Sequence, residues 1–408
     1  MKRQRQMRWL LRGGLAVAVA LAPASAAAQS TTDQEQGTMR IGPFQLKPRL
    51  AFTNVGVDYN VFNDNANPQR DFTFTAAPDV EVSVHPGRLR LAFLSGSEFV
   101  YFQKFTSERS VNHSFGGRAD LDLNILKPFF SASSAHTSAR PSTEIDVRAR
   151  HHPQSYTAGT ILKVASRTSM TFTGRLSTEA YDEGVEFRGE DLSTALDNKT
   201  TGYEAALNLE LTPFTTLSLV AGKEELRFDH SPVRDADSLR ISPTVTFSPL
   251  GQITGSGSIG YRRFNGLDPS LPDYTGLVST GSIGILMGGK YKLETTFTRD
   301  IKYSYEETIP YYVLTGGRAI LAVQTVGALD LRVTGGRESM AYRAFPGEPD
   351  PGRDHVILYG GGFGYRIRER LKFVAEVEVW HRTSERDDTR EYRNTRVVTG
   401  VSWGVMNR

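Results

Sequence analysis

Between Thr201 and Phe228 apolar and polar residues alternate with a period of two. Tyr203, Ala205, Leu207, Leu209 and Leu211 share one face, and Glu204, Ala206, Asn208 and Glu210 share the other. That pattern predicts a strand with one apolar face and one wet face. The chain reverses at Thr212-Pro213. Leu217, Leu219 and Ala221 then oppose Thr216, Ser218 and Glu224. Each arm is longer than a typical soluble strand and suits the roughly 9–11 residues that cross a bilayer at a tilt.

The same unit repeats along the chain. In a second strand Phe72, Phe74, Ala76, Val80, Val82 and Val84 oppose Thr73, Thr75, Asp79, Glu81 and Ser83. In a fourth, Val111, Phe115, Ala119, Leu121 and Leu123 oppose Asn112, Ser114, Arg118, Asp120 and Asp122. Leu239, Ile241 and Val245 oppose Arg240, Ser242 and Thr244 in a tenth. In a thirteenth, Tyr291, Leu293, Phe297 and Ile301 oppose Lys292, Glu294, Asp300 and Lys302, with Arg299 on the apolar side near the long-connection end. Short turns are expected at His85–Arg88, Leu126-Lys127-Pro128, Ser166-Arg167, Thr212-Pro213, Pro249–Gly251, Gly288-Gly289, Gln324 and Arg368-Glu369. Between them run longer polar connections, among them Arg140–Pro153, Asp182–Asn198 and Arg343–Asp354. Alternating short and long connections belong to outer-membrane barrels, where the long ones face outside. The prediction is an all-β chain: a transmembrane antiparallel up-and-down β-barrel of about 18 strands, within roughly 16–20.

Composition agrees. Hydrophobic residues make up 39% of the 408-residue chain. No stretch after the N-terminus approaches the ~18 apolar residues of a spanning helix. A membrane crossing by this chain therefore requires a closed barrel, which satisfies every backbone group in lipid. Aromatics gather at strand ends. Tyr59, Phe62, Phe72, Phe99, Tyr101, Tyr181, Tyr203, Phe228, Tyr261, Tyr274, Tyr303, Tyr305, Tyr311 and Tyr342 lie at the long-connection side, and Phe129, Phe214, Tyr291 and Trp403 at the turn side. They are expected to form two interfacial belts.

The N-terminus reads as a secretory signal: Lys2, Arg3, Arg5, Arg8 and Arg12, then the apolar Gly13–Ala22, then Ala26-Ala27-Ala28. The expected division is a cleaved signal over 1–28, a short periplasmic lead over 29–40 and a barrel over 41–408. The signal carries five basic and no acidic residues, so the formal charge of +3 becomes 3 − 5 = −2. No basic field for nucleic acid remains. The chain has no Cys.

Parity places a set of charges on the wet face. Arg118, Asp120, Asp122, Arg175, Glu204, Glu210, Arg240, Lys292, Glu294, Asp330, Arg332, Glu376 and Arg396 are the candidate pore-lining residues. Two roles stay open for them: pairing across strands to hold the wall, or lining a hydrated passage. No metal or cofactor is expected. Gly255-Ser-Gly257-Ser-Ile-Gly260 matches the dinucleotide fingerprint by letters, but it lies in a strand with no helix to take a pyrophosphate. The glycines there and at Gly360-Gly361-Gly362 relieve curvature or let an aromatic lie flat. His151 and His152 are adjacent on a strand, so they point to opposite faces and chelate poorly. Asn63, Asp64, Asn65 and Asn67 read as a solvated turn, without the spaced Glu of a calcium loop. A surface hydrolase and a closed structural barrel remain as alternatives to a channel.

The opening hairpin, VGVDYNVFNDNANPQRDFTFTAAPDVEV, resembles the β-barrel porin-2 family. The matching positions are Asp58, Asn60, Val61, Phe62, Asp71, Phe72 and Pro78. The resemblance implies a porin-like outer-membrane channel for passive passage of hydrophilic solutes in a Gram-negative bacterium. It also implies a role in exopolysaccharide passage. The implied partners are outer-membrane lipids and lipopolysaccharide, the barrel-assembly machinery and polysaccharide export components. Many such barrels end on an aromatic residue; here Trp403 is followed by five more residues, Gly404–Arg408.

Overall fold

The computed structural model describes residues 39–404. The expected signal over 1–28, nearly all of the lead and residues 405–408 lie outside the described residues. A single sheet of twenty strands includes two three-residue pieces, Met39–Ile41 and Ala149–His151, so 20 − 2 = 18 long strands remain. They are β1 (Phe44–Asp58), β2 (Asp71–Val84), β3 (Leu89–Phe102), β4 (Ser110–Leu121), β5 (Leu126–Ala139), β6 (Gln154–Ala165), β7 (Thr168–Glu179), β8 (Asn198–Thr212) and β9 (Thr215–Phe228). The second half comprises β10 (Ala236–Phe247), β11 (Ile253–Gly266), β12 (Tyr274–Met287), β13 (Tyr291–Tyr303), β14 (Tyr311–Gln324), β15 (Leu329–Arg343), β16 (Arg353–Arg368), β17 (Leu371–Ser384) and β18 (Tyr392–Gly404).

Each strand pairs antiparallel with its neighbours in sequence. β18 closes on β1, from Arg49 opposite Gly404 to Asp58 opposite Arg396. Closure leaves no unpaired edge, the condition for a sheet in lipid. The outward face is greasy: Leu207, Leu219, Ile241, Ile259, Leu277 and Val333 are all exposed. Short turns such as 166–167 and 213–214 alternate with long connections such as 140–153 and 180–197. Two turns differ from expectation. Gln324 is the last residue of β14, and the reversal follows it at 325–328. The other lies earlier in the chain. The chain reverses at 122–125, not at Leu126-Lys127-Pro128. Asn124 adopts a left-handed φ of 69°, and Asp122 accepts a hydrogen bond from its amide at 3.0 Å. This Asx-type reversal leaves Leu126 free to start β5.

Of the two roles expected of the glycines, making room for an aromatic is seen on β11 and β12. Gly257 and Gly281 make room on the outer face for the Phe297 ring, which a Cβ at Gly281 would meet at 2.5 Å. At Gly360 the β17 backbone comes close instead, with Val377 O 2.5 Å from where a Cβ would stand.

The outer aromatic belt is shorter than expected. Phe72, Phe99, Tyr203 and Tyr261 are exposed on the outer surface. Tyr181, Phe228, Tyr305, Tyr311 and Tyr342 are buried inside the mouth instead. Loops folded over them supply the packing that lipid would otherwise give. Phe129 is also not an interface residue. It turns into the lumen, where it fills the space beside Gly159 and lies under the Arg118 guanidinium, 4.9 Å from its ring centre.

Candidate functional site: a lumen narrowed by docked loops

The wet face of each strand lines the interior, and its charges mostly pair. Arg118 and Asp120 are two residues apart on β4 and bond at 2.6 Å. Arg240 on β10 reaches Glu204 on β8 across β9 at 2.7 Å, through the gap left by Gly222. Lys292 pairs with Glu294 at 2.7 Å, and Lys372 with Asp330 at 2.7 Å. Arg332 stands 3.9 Å from Asp330 and 3.9 Å from Glu376. Arg396 bonds Asp58 at 2.9 Å. Asp122 sits in the turn below β4 and takes Lys127 at 2.7 Å. Among the described residues, Arg175 and Glu210 have no ion-pair partner, and both are exposed. Neighbouring charges of opposite sign on one face give most of these groups a partner, so the wall carries little net field.

β10–β13 differ from the rest of the wall. Their inward positions hold Thr244, Ser256, Ser258, Thr280, Ser282 and Thr296, of which Thr280, Ser282 and Thr296 are exposed. This sector carries a hydroxyl-bearing band between Arg240, Arg262 and Asp300 toward the mouth and Lys292 and Glu294 toward the turns.

Two long external connections fold inward. The first, 140–153, crosses to the far wall: Thr143 Oγ1 donates to Glu338 of β15 at 2.7 Å, and Arg382 of β17 donates to Thr143 O at 2.9 Å. The second, 180–197, carries a two-strand piece (Glu186–Phe187 with Glu190–Asp191) and a five-residue helix, Leu192–Leu196. Asp191 caps that helix through the amides of Ser193 and Thr194. Ile145, Ala149, Tyr181, Phe187, Leu192, Ala195, Leu196 and Tyr305 form one buried apolar cluster, so the two connections share a core. Apolar side chains in otherwise polar connections hold the loops down by removing their surface from water.

Arginines lock this cap. Arg234, 1% exposed, donates to Ala195 O at 3.0 Å and Ser304 O at 2.8 Å. Arg382 bonds Asp354 at 2.5 Å. Glu306 receives Arg386 at 2.5 Å and Arg390 at 2.7 Å, which holds it below the usual carboxylate range despite burial. Arg188 ties the 180–197 connection to Asp387 and Thr389. Within this network Glu144 is fully buried. Ser304 Oγ donates to Glu144 Oε1 at 2.7 Å, while Oε2 has no hydrogen-bond partner. Burial pushes this carboxyl up to about 7. The docked loops lean on β13–β18, so the interior facing β7–β12 stays exposed at Arg175, Thr280 and Ser282.

None of these cap residues stood out in the sequence as a site. The available signal was Ile145, Val147 and Val185 within connections otherwise rich in charge. His151 and His152 diverge as expected. His151 is buried and stacks on Tyr181, whereas His152 bonds Asp182 at 2.9 Å on the outer side. Asp64 accepts the amides of Ala66 and Asn67, closing a turn in the first external loop. Among the described residues no group of three His, Asp or Glu is placed to hold a metal ion.

This geometry defines a closed 18-strand antiparallel barrel of the outer-membrane type. A family model described as "Putative beta-barrel porin 2" matches residues 34–404, and the chain belongs to that family. No curated protein matches. Among solved structures, the chain is similar to a BenF-like porin from Pseudomonas fluorescens Pf-5. The TM-score is 0.50 at 10% identity, over 90% of this chain and 99% of that one. It is also similar to OpdK from Pseudomonas aeruginosa, solved with vanillate, with a TM-score of 0.47 at 10% identity over 88% and 98%. The siderophore receptor PirA from Pseudomonas aeruginosa gives a TM-score of 0.41 at 10% identity over 88% and 80%. At these identities the likeness shows the fold alone.

Proposed function

We propose that the protein is a passive, non-enzymatic channel for hydrophilic solutes in the bacterial outer membrane, narrowed at its external mouth by two docked loops. Export through a cleaved signal over 1–28 and insertion by the barrel-assembly machinery, with Trp403 as the terminal aromatic, belong to this reading. One observation carries it: the interior wall combines mutually paired charges with an exposed hydroxyl sector on β10–β13. Such a wall hydrogen-bonds water and polyhydroxylated solutes while holding neither cations nor anions strongly.

The hydroxyl sector also favours a second, narrower reading, passage of a neutral polysaccharide segment delivered by export components. Liposome swelling separates the two. Neutral sugars are expected to enter at rates that fall with size. Neutral oligosaccharides that block ion current from the periplasmic side alone support polymer export. Folded protein that admits no sugar at all overturns both.

The lumen charges give a second test. Glu210→Gln is expected to shift permeability toward anions more than Glu204→Gln does, because Glu204 is already matched by Arg240. The shift should shrink with salt, as the Debye length falls from about 10 Å at 0.1 M to about 3 Å at 1 M. No shift in either variant counts against these carboxylates as part of the passage.

A further inference from the structure

A group of arginines stands on the outer surface, where a lipid-facing barrel has reason to avoid charge. Arg263, Arg299 and Arg337 lie on β11, β13 and β15, three, four and six residues in from the external ends at Gly266, Tyr303 and Arg343. Arg263 pairs with Thr275 of β12, and Arg299 pairs with Ser279 of the same strand. On its other side Arg299 pairs with Thr315 of β14, while Arg337 pairs with Gly317 of that strand. The three therefore occupy alternate strands. A step of roughly 10 Å across two strand widths combines with register offsets of four residues (Thr275 to Ser279) and two (Thr315 to Gly317), so Arg263 and Arg299 stand about 16 Å apart and Arg299 and Arg337 about 12 Å apart along the wall. Among the described residues none of them has a carboxylate partner. Arg299 donates only to Leu277 O at 3.1 Å and Thr315 Oγ1 at 2.6 Å. Lys223 and Arg227, on β9, differ. They are matched by Glu225 and Asp237.

The floor between Arg299 and Arg337 is small. Thr315, Gly317, Gly335 and Ser339 lie there, and a Cβ at Gly335 would meet nothing within 4 Å. Around this shallow basic strip are exposed Tyr261, Leu277, Ile357 and Tyr359. On the opposite side of the barrel, exposed outward positions near the mouth include His113, His136 and Gln154, with Arg150 the one arginine among them.

We propose that the outward face of β11–β15 binds the phosphate groups of the lipopolysaccharide in the outer leaflet. Guanidinium forks match phosphate oxygens, and at the interface they cost little to expose. The small floor admits a sugar-phosphate headgroup, and the apolar residues beside it take the acyl chains. Three cations at headgroup level suit a bis-phosphorylated glycolipid better than a single-phosphate phospholipid. The inference rests on the outer-membrane location proposed above.

The test uses the folded full-length mature protein in detergent, titrated with bis-phosphorylated lipid A, dephosphorylated lipid A or phosphatidylglycerol and followed by native mass spectrometry. The wild type is expected to prefer bis-phosphorylated lipid A over both other lipids. Each Arg→Gln change at Arg263, Arg299 or Arg337 should weaken it by about fivefold. The triple Arg→Lys variant should retain most of the binding. Heat-modifiable gel mobility verifies folding. Should the triple Gln variant not fold, the three single variants carry the test. Conductance, measured on the same preparations, should be unchanged, so a failed channel reading shows there and leaves the binding result standing. Equal binding of bis-phosphorylated and dephosphorylated lipid A, or of lipid A and phosphatidylglycerol, overturns the proposal. So does undiminished binding by the Gln variants.

Discussion

Glu144 is buried on the docked 140–153 connection, with Ser304, Glu306, Arg234, Arg382, Arg390, Tyr312 and Tyr342 around it. Its carboxyl is raised from 4.5 to about 7 by burial. A raised acid binds its proton more tightly when docked than when released. Docking is therefore strongest below pH ~4.5 and weakens as pH rises through about 7. At ~1.4 kcal/mol per unit, the span amounts to about 3 kcal/mol. Limited proteolysis at Arg140 and Arg148 is expected to accelerate across that window in the wild type and to be flat in Glu144→Gln. Identical profiles would remove Glu144 as the titrating group. Arg382→Met probes the same lock from the wall. It leaves two loop carbonyls without their donor and takes one cation from Asp354, which keeps Arg390, Ser384 and Tyr342. The variant should expose the loop to protease at every pH while the barrel stays folded. A loop as resistant as the wild type's would show that the apolar cluster alone holds it.

At the scale of strands and turns most of the architecture was legible. Period-two alternation and turn residues are local signals, and parity alone assigned Arg299 and the wall charges their faces, apart from Asp122, which lies in the 122–125 turn and not on a strand. Phe129 was misplaced because its position near a turn was weighed above its parity; its neighbour Phe130 is the outward residue. The cap was not legible for a different reason. Its bonds join residues far apart in sequence, such as Glu144 to Ser304 at a separation of 160 and Thr143 to Arg382 at 239. No periodicity encodes such pairings. The same limit hid the burial of Tyr305, Tyr311 and Tyr342, since only the folded loops decide what covers a strand end. Two element-level outcomes can be checked. Gly281→Val should displace the Phe297 ring and destabilise the β11–β13 wall by about 1–3 kcal/mol, read from the denaturation midpoint; an unchanged midpoint would mean the ring moves freely. Single cysteines at Leu267 and Leu250, both highly exposed and in a chain without native Cys, report orientation. An impermeant maleimide on intact cells should label the first and spare the second, and the reverse pattern would invert the barrel.

For the molecule as a whole, the closed sheet and the docked cap divide the work. Backbone pairing around eighteen strands makes the wall indifferent to lipid, and the paired interior charges keep it wet without a strong selectivity field. In the proposed channel the cap is the element that limits passage, and over 141–147 it is attached by a few buried arginines and one apolar cluster instead of by strand pairing. Loops held this way can be removed without touching the barrel ladder. Single-channel recording in planar bilayers puts the wild type beside a variant lacking residues 141–147. The wild type is expected to insert in discrete conductance steps that scale with bulk salt, and the deletion to give larger steps with the same salt scaling. Silence from folded wild-type protein over many insertions, or identical steps from the two proteins, cannot be reconciled with a wet channel narrowed by this loop.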